Sequence, residues 1–494
     1  MLTWALLAFL LGLLYWMSRK PSGLPPGRWG LPVIGYIPLY TSDIGRIIND
    51  LRKEYGDIFT WKVGGQVLVG LCDYKLIKST YSKPECQGRP TLFTFELAQL
   101  NTNTGIINAV DDVWTQGRRF ALRHLKDFGM GKSSLEDVIL HEAVNLAKSF
   151  EATSGKPVEI SWNLNVSVLN VIWKLVANRR YEMDNKEVTR FSEALTADIE
   201  VSQTRCLPLD LFPGLHKILP KFILNKWMKV DVLSKNIEDL KNFAMDIIEE
   251  HEKNFDPDNI QDYIDVYLSE IKKEKDNGGT IFQEDYFNLA ITICDLFVAG
   301  SETTSSTMRW LVALLATHPE AQKKMQDEID SVVSRDRTPS IQDREQMPYT
   351  EAVLLEVMRF SSLLPLGLLH STTEDVQIGE YRLPKGTGLF ASARSCHRNP
   401  KYFERPDEFY PEHFLDEEGK VISRKEGFLP FSLGRRQCLG ENLARMELFL
   451  FASCLIQKFS AAPPEGRTIS PVSDPSKPFL NFINPYEVVL TLRE

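Results

Sequence analysis

The ten residues Phe431-Ser432-Leu433-Gly434-Arg435-Arg436-Gln437-Cys438-Leu439-Gly440 carry one cysteine between two glycines, a composition suited to offering a single thiolate to a metal. Gly434 and Gly440 let the backbone turn tightly and bring N–H groups toward the sulfur. Glu441 to Gln457 has neither Pro nor Gly and is rich in Leu, Ala, Met and Glu, which predicts a helix starting just past the thiol. Its positive end favours ionised sulfur, as does Arg435 or Arg436 nearby. A small buried hydrophobe and a zinc ligand are the alternatives. Zinc needs a second Cys or His at short spacing, and the nearest, His413, belongs to another segment. A thiolate without a protein co-ligand fits a metal that brings its own equatorial ligands, which means heme.

Three further groups have the types and spacing for chemistry. Ala299-Gly300-Ser301-Glu302-Thr303-Thr304 sits inside an apolar helical pattern running from Glu284 to Thr317. Asp295, Glu302 and Arg309 interrupt that pattern, so a membrane span is excluded. Gly300 removes a side chain where a ligand would approach, and the Thr303 hydroxyl can bond back to a carbonyl and open the helix locally. An ordinary polar turn is the competing account. Glu356 and Arg359 lie three apart on an apolar helix, which predicts an interior pair in need of further hydrogen bonds. Trp114 and Arg118, four apart, put an indole N–H and a guanidinium on one helical face.

The spacing Phe-x-x-Gly-x-Arg-x-Cys-x-Gly resembles the heme-binding loop of the cytochrome P-450 family, and the likeness extends over almost the whole chain, closest to animal microsomal enzymes of the drug- and steroid-hydroxylating group. The resemblance implies that Cys438 is the axial ligand of iron protoporphyrin IX, in a loop shaped by Phe431, Gly434 and Gly440. It implies that Ala299 and Gly300 lie against heme, with Glu302 and Thr303 at the acid and alcohol positions that relay protons. Trp114, Arg118 and Arg436 are implied to bind heme propionates. His370 and Arg89 are implied to join them, with a solvated or structural role as the alternative. The Glu-x-x-Arg at 356–359 resembles the family's clamp on the segment that leads to the cysteine. Its third member is His413, at a position most often occupied by Arg, and these three are structural rather than catalytic. Leu369 also departs from the pattern, since many relatives have proline before the histidine, and that bears on the pocket wall.

The implied fold is mainly α with small β-sheets, one heme-containing domain. The implied reaction inserts one atom of O2 into a lipophilic small molecule, a steroid, fatty acid or xenobiotic. Electrons are then implied to come from NADPH through a membrane-bound flavoprotein reductase, because the chain has no flavin or nicotinamide motif of its own. A docking face with Arg119, Arg123, Lys126 and Lys132 is implied, a plain solvated role being the alternative. Candidate pocket walls are residues 93–107, 291–303, 363–368 and 479–482. Two other classes compete: a heme-thiolate isomerase or dehydratase working on peroxides without a reductase, and a non-catalytic heme sensor or carrier. Neither needs the Glu302 and Thr303 pair.

The elements that must position these residues are partly legible. The chain has 494 residues and 43% hydrophobic content, and groups near 114, 302, 359 and 438 must converge on one cofactor, so the soluble part, 33–494, is expected to be one domain. Strands are predicted at Ile58 to Val63 and Gln66 to Val69 about a Gly64-Gly65 turn, a hairpin at Val376 to Ile378 and Tyr381 to Leu383, and a last strand at Glu487 to Leu492. Residues 130–330 are mostly helical in pattern, including Asp231 to Asn254. The net charge of −9 disfavours nucleic acid as a partner. Seven scattered cysteines suit a reduced compartment. The first 18 residues carry no charged side chain, and as a helix they would span about 27 Å, close to a bilayer's hydrocarbon core. Arg19 and Lys20 follow, which holds the remainder in the cytosol. Residues 1–20 are thus expected to be a single-pass anchor and 21–32 a Pro-rich hinge, and the resemblance implies the endoplasmic reticulum membrane. The basic, apolar segment Leu215 to Val230 is either a second membrane contact or two short helices packed on the core.

Overall fold

Long stretches poor in Pro and Gly become the helices, and the breaks fall where proline or a left-handed residue ends the pattern. The computed structural model describes residues 4, 12, 19–38, 41, 43–130, 135–274, 281–282, 286–477 and 479–493. The helices that build the site and its core are α1 (Asp111–Asp127), α2 (Glu136–Glu151), α3 (Ser161–Ala177), α4 (Lys186–Thr204), α5 (Val230–Lys253), α6 (Phe287–Thr317), α7 (Pro348–Ser361) and α8 (Glu441–Lys458). With 31 residues, α6 is about 46 Å long and crosses the whole fold. It packs on α3, α5, α7 and α8, its C-terminal half is almost wholly buried, and His318-Pro319 ends it. The expected start at Glu284 lies outside the described residues.

Among the described residues ten strands make three sheets: β1 (Gly27–Arg28), β2 (Ile58–Val63), β3 (Gln66–Leu71), β4 (Pro157–Val158), β5 (His370–Ser371), β6 (Val376–Ile378), β7 (Tyr381–Leu383), β8 (Gly388–Ala391), β9 (Phe459–Ala462) and β10 (Val488–Leu492). Their orders are β1-β2-β3-β8-β5, β4-β10-β9 and β6-β7. In the β2–β3 hairpin Thr60 lies opposite Val69, and at the turn Gly64 has φ +59° with the Leu211 carbonyl oxygen 2.1 Å from where a Cβ would be. No other residue fits there. β3 runs two residues past the expected end because β8 pairs with it in parallel, Leu71 opposite Ala391. β8 is buried on both faces and lacks alternation, which hid it in the sequence. The observed class is mainly helical with small sheets, as expected.

The N-terminal region corrects one boundary. Residues 1–18, the expected anchor, lie outside the described residues apart from Trp4 and Gly12, and among the described residues no helix is long and apolar enough to cross a membrane. The Pro-rich segment, expected as a stiff hinge between anchor and domain, is docked on the sheet. The Thr60 N–H and hydroxyl donate to the carbonyls of Pro26 and Pro25, both at 2.8 Å, and Gly27–Arg28 joins the sheet beside β2. Leu24 is buried in the core beneath. The folded domain therefore starts ahead of residue 33, because the segment's carbonyls find donors on β2. Leu215 to Val230 does form two short helices, Leu215–Ile218 and Lys221–Lys226, broken at Leu219-Pro220.

Candidate active site

The cysteine loop closes on itself through the Cys438 N–H, which donates to the Phe431 carbonyl at 2.9 Å. Gly434 has φ +81° and faces the Tyr81 carbonyl oxygen, which would lie 2.3 Å from a Cβ, so this glycine is obligatory. Gly440 differs from expectation. Its φ is −91° and open space surrounds a Cβ there, so no turn demands glycine; its contribution is an N–H near enough to the Cys438 sulfur to favour the thiolate. Helix α8 begins at the next residue and points its positive end toward the thiol. Burial pushes the Cys438 pKa up, the Gly440 N–H draws it down, Glu441 raises it and the Arg118 guanidinium lowers it. The thiol has exposed surface yet is desolvated by surrounding protein, which places it on the wall of an internal space. Phe431 lies under the Arg445 guanidinium, 5.1 Å from ring centroid to carbon.

Beside this loop three guanidinium groups converge. Arg436, from the loop itself, donates to the carbonyls of Gln87 at 2.7 Å and Ala109 at 2.7 Å and lies 4.1 Å over the Trp114 ring of α1. Arg89 donates to the carbonyls of Ile107 at 2.9 Å and Leu369 at 2.6 Å. Arg118, one turn after Trp114, donates to the Gln437 carbonyl at 2.6 Å, next to the thiol. Among the described residues none of the three is hydrogen-bonded to a carboxylate. Burial first, then mutual repulsion, lowers Arg436 to about 8, and burial lowers Arg89 to about 10. His370 stacks on Tyr81 at 4.0 Å and bonds the Cys86 carbonyl at 2.9 Å; burial, with Arg89 and Arg436 nearby, holds it neutral. Asp295 and Asp111 act on Arg89 and Arg436 only from a distance, and a cluster of desolvated cations with no anion hydrogen-bonded to it is costly unless a ligand brings one. Two carboxylates of a porphyrin would do so, and the inward-opening thiol would hold its metal, so these residues fit heme. The described His, Cys and carboxylate side chains close enough to bind an ion together are His251, Asp262 and Asp265, which line a cleft away from Cys438.

Helix α6 packs on α8, the helix that follows the thiol. The Thr303 hydroxyl donates to the Ala299 carbonyl at 2.7 Å, as foreseen, but the helix runs on unbroken through this turn. Ala299 is exposed in a helix otherwise enclosed by protein, so it faces the internal space. Gly300 does not. A Cβ there would lie 2.5 Å from Cδ1 of Ile172 on α3, so this glycine serves helix packing and not cofactor approach. Glu302 is also turned elsewhere: its carboxylate accepts from Thr196 of α4 at 2.8 Å and from Asn165 of α3 at 3.3 Å. Its carboxylate is thus held by α3 and α4 and not by Thr303, its neighbour in sequence.

The Glu356–Arg359 pair is wholly buried and bidentate, with both contacts at 2.7 Å. Arg359 also donates to the carbonyls of His397, Pro406 and Glu408, each at 2.7 Å. Glu356 accepts from the Tyr410 N–H at 2.8 Å and from His413 Nδ1 at 3.2 Å. The Arg405 N–H points at His413 Nε2 at 3.3 Å, so the imidazole completes the clamp by joining Glu356 to the backbone at Arg405. Sequence reasoning missed His397, whose Nε2 accepts from the Leu429 N–H at 3.0 Å and so ties the clamp to the start of the cysteine loop. It also missed Asp295, which accepts from the N–H groups of Ile106 at 2.6 Å and Ile107 at 2.9 Å and fixes the loop whose carbonyls orient Arg89 and Arg436. Both act on backbone far away in sequence, and no spacing could have shown them.

A buried thiol at a helix N-terminus, a cationic cradle and a long helix bearing an alcohol define a heme-thiolate enzyme. Residues 25–490 match the family described as Cytochrome P450. The chain is 42% identical over 481 residues to "Cytochrome P450 2L1" of Panulirus argus, covering 97% of each. It is 37% identical to "Cytochrome P450 2C23" of Rattus norvegicus, over 97% of this chain and 95% of the relative, and 35% identical to "Cytochrome P450 2J2" of Homo sapiens, over 94% and 93%. The protein belongs to the cytochrome P-450 family. It is a heme-thiolate monooxygenase that acts on lipophilic substrates with O2 and a redox partner.

Proposed function

We propose that this enzyme hydroxylates steroids, fatty acids or xenobiotics, that NADPH supplies the electrons through a membrane-bound flavoprotein reductase, and that Cys438 is the residue that would hold the heme iron. The observation that carries this is the inward-opening Cys438 thiol beside three guanidinium groups, Arg436 buried and Arg89 and Arg118 half-buried, that hydrogen-bond to no carboxylate among the described residues. Heme, when bound, supplies the activation of oxygen and the power to attack unactivated C–H bonds, which a thiolate ligand promotes. The protein's part is positioning. The Gly440 N–H and the helix dipole of α8 stabilise charge on Cys438, and Arg118 fixes the preceding carbonyl while its other N–H groups remain for a propionate. Arg436, braced on Trp114, with Arg89 and His370 completes the cradle. The Thr303 hydroxyl donates to the Ala299 carbonyl, so its oxygen would be left to accept from a water and hold a proton source at that atom. Glu302 feeds that water through a second one or through rotation away from Thr196.

Thr303→Ala is expected to keep heme and continue to consume NADPH with reductase, while oxygen is diverted to hydrogen peroxide. Product formation should fall by up to about 10²–10⁴-fold, the usual contribution of a positioned proton donor. Product, NADPH and peroxide measured together decide it: unchanged coupling removes Thr303 from the relay, and wild-type turnover without reductase moves the protein to the peroxide isomerases. On the outer face of α1, Arg119, Arg123 and Lys126 are exposed while Arg118 of the same helix touches the cysteine loop, which supports reductase docking there. Lys132 lies outside the described residues.

For location we propose a single-pass anchor at residues 1–20 in the endoplasmic reticulum membrane, the catalytic domain in the cytosol. In support, Ile218, Phe222 and Trp227 on the two short helices are exposed, as are Leu31, Val33 and Ile34. Both groups adjoin one turn, because Gly64 N–H donates to the Ile34 carbonyl and Gly65 N–H to the Leu211 carbonyl, each at 2.7 Å. Deleting Met1 to Lys20 should release part of the protein from membranes with its heme spectrum intact. Adding Ile218→Glu, Phe222→Glu and Trp227→Glu should release the rest. Retention of that combined variant on membranes would overturn the second contact.

A further inference from the structure

Three carboxyl groups approach the part of α6 that its neighbours leave open, Cys294 to Thr303, and two of them are taken. Glu302 accepts from Thr196 and Asn165, and Asp295 accepts from the N–H groups of Ile106 and Ile107. The third, Asp198 of α4, has no such partner. Its Oδ1 is buried without a hydrogen bond, and no described residue donates to either oxygen. Burial alone holds this carboxyl up at about 7. Asp198 continues the stripe of Val188, Phe191 and Leu195 that buries α4, and it lies near the thiols of Cys294 and Cys206. Thr196, two residues earlier, is about 200° away around the helix. Thus α4 meets Glu302 of α6 through Thr196, and Asp198 of the same helix lies near Cys294.

An acid in an apolar stripe costs stability unless something supplies its partner. We propose that Asp198 is the polar anchor of the substrate chamber and that it selects lipophilic molecules carrying a protonated amine. A cation answers both the unmet hydrogen bonds and the uncompensated charge, since no lysine, arginine or histidine among the described residues pairs with Asp198; a neutral hydroxyl answers only the first. Cys294 precedes Ala299 and Thr303 by five and nine residues, roughly 8–13 Å along the helix, so the oxidised carbon lies several bonds from the nitrogen. The inference rests on the reading of this same space as the place where substrate is oxidised.

The full-length holoenzyme is titrated with dimethyl(phenylbutyl)amine and with its isostere bearing carbon in place of nitrogen, affinity being read from the heme absorbance. Both are then turned over with NADPH and reductase. Wild type is expected to bind the amine about 10–100-fold more tightly, the range of a buried charge-assisted hydrogen bond. Asp198→Asn should erase that preference and leave the affinity for the isostere unchanged, and Asp198→Leu should do the same while tightening the isostere. A preference that survives both substitutions, that wild type lacks, or that neutral phenylhexanol matches overturns the anchor. If the isostere is oxidised without any amine preference, the anchor alone fails; if no lipophile is oxidised, the reading of the chamber fails with it.

Discussion

Cys438→Ala should abolish the thiolate-type Soret band of the reduced, CO-bound protein and bring turnover to background. Of the seven cysteines, Cys438 alone stands on an internal wall with an N–H and a guanidinium drawing its pKa down. Cys454 and Cys206 are pushed up to about 12 by burial, with no N–H donor or cation to offset it, and Cys86 to about 11. Those thiols stay protonated and cannot stand in as ligands. The loop itself should survive, because Cys438 closes it with a backbone N–H that alanine also has. Unchanged far-UV circular dichroism would accordingly accompany the loss of the band. A thiolate-type band in the folded variant would sink the assignment of Cys438.

Arg359→Ala, and equally Glu356→Ala, should yield little holoprotein. Either change leaves a charge buried at 0% exposure without its partner, at a cost of about 3–5 kcal/mol. For Arg359 the loss is wider, since carbonyls of His397, Pro406 and Glu408 lose their donor together. Arg359→Lys should not rescue, because one ammonium cannot reproduce a fork with bidentate geometry and three further acceptors. Through His397 and Leu429 the damage passes to the cysteine loop, so heme content should fall before global unfolding does. Heme-to-protein ratio and denaturation midpoint check this; a wild-type ratio and midpoint in both alanine variants would mean the pair is dispensable.

Much of the candidate site was legible because its chemistry is local. The cysteine, its flanking residues and the helix behind it lie within one contiguous stretch, and Glu356–Arg359 and Trp114–Arg118 sit at helical spacings where side chains meet whatever the rest of the fold does. The β2–β3 and β6–β7 hairpins were legible for the same reason, since their partners are a turn apart. Where the contact is distant, sequence was silent or misleading. Gly300 looks like a gap for a ligand until Ile172 of α3 is seen to fill it, and Glu302 looks like a neighbour of Thr303 until Thr196 and Asn165 claim its carboxylate.

The sequence by itself determined the mainly helical architecture, because periodicity acts over one or two turns of chain, and its resemblance to the cytochrome P-450 family carried the reaction class and pointed to Cys438. Only the tertiary structure decided which acids are spent and which is free, that the Pro-rich segment belongs to the sheet, and that His397 and Asp295 brace the two loops of the site. Those outcomes depend on which donors packing brings within hydrogen-bond reach of a buried acceptor, and in a fold of this size those donors come from residues tens to hundreds of positions away.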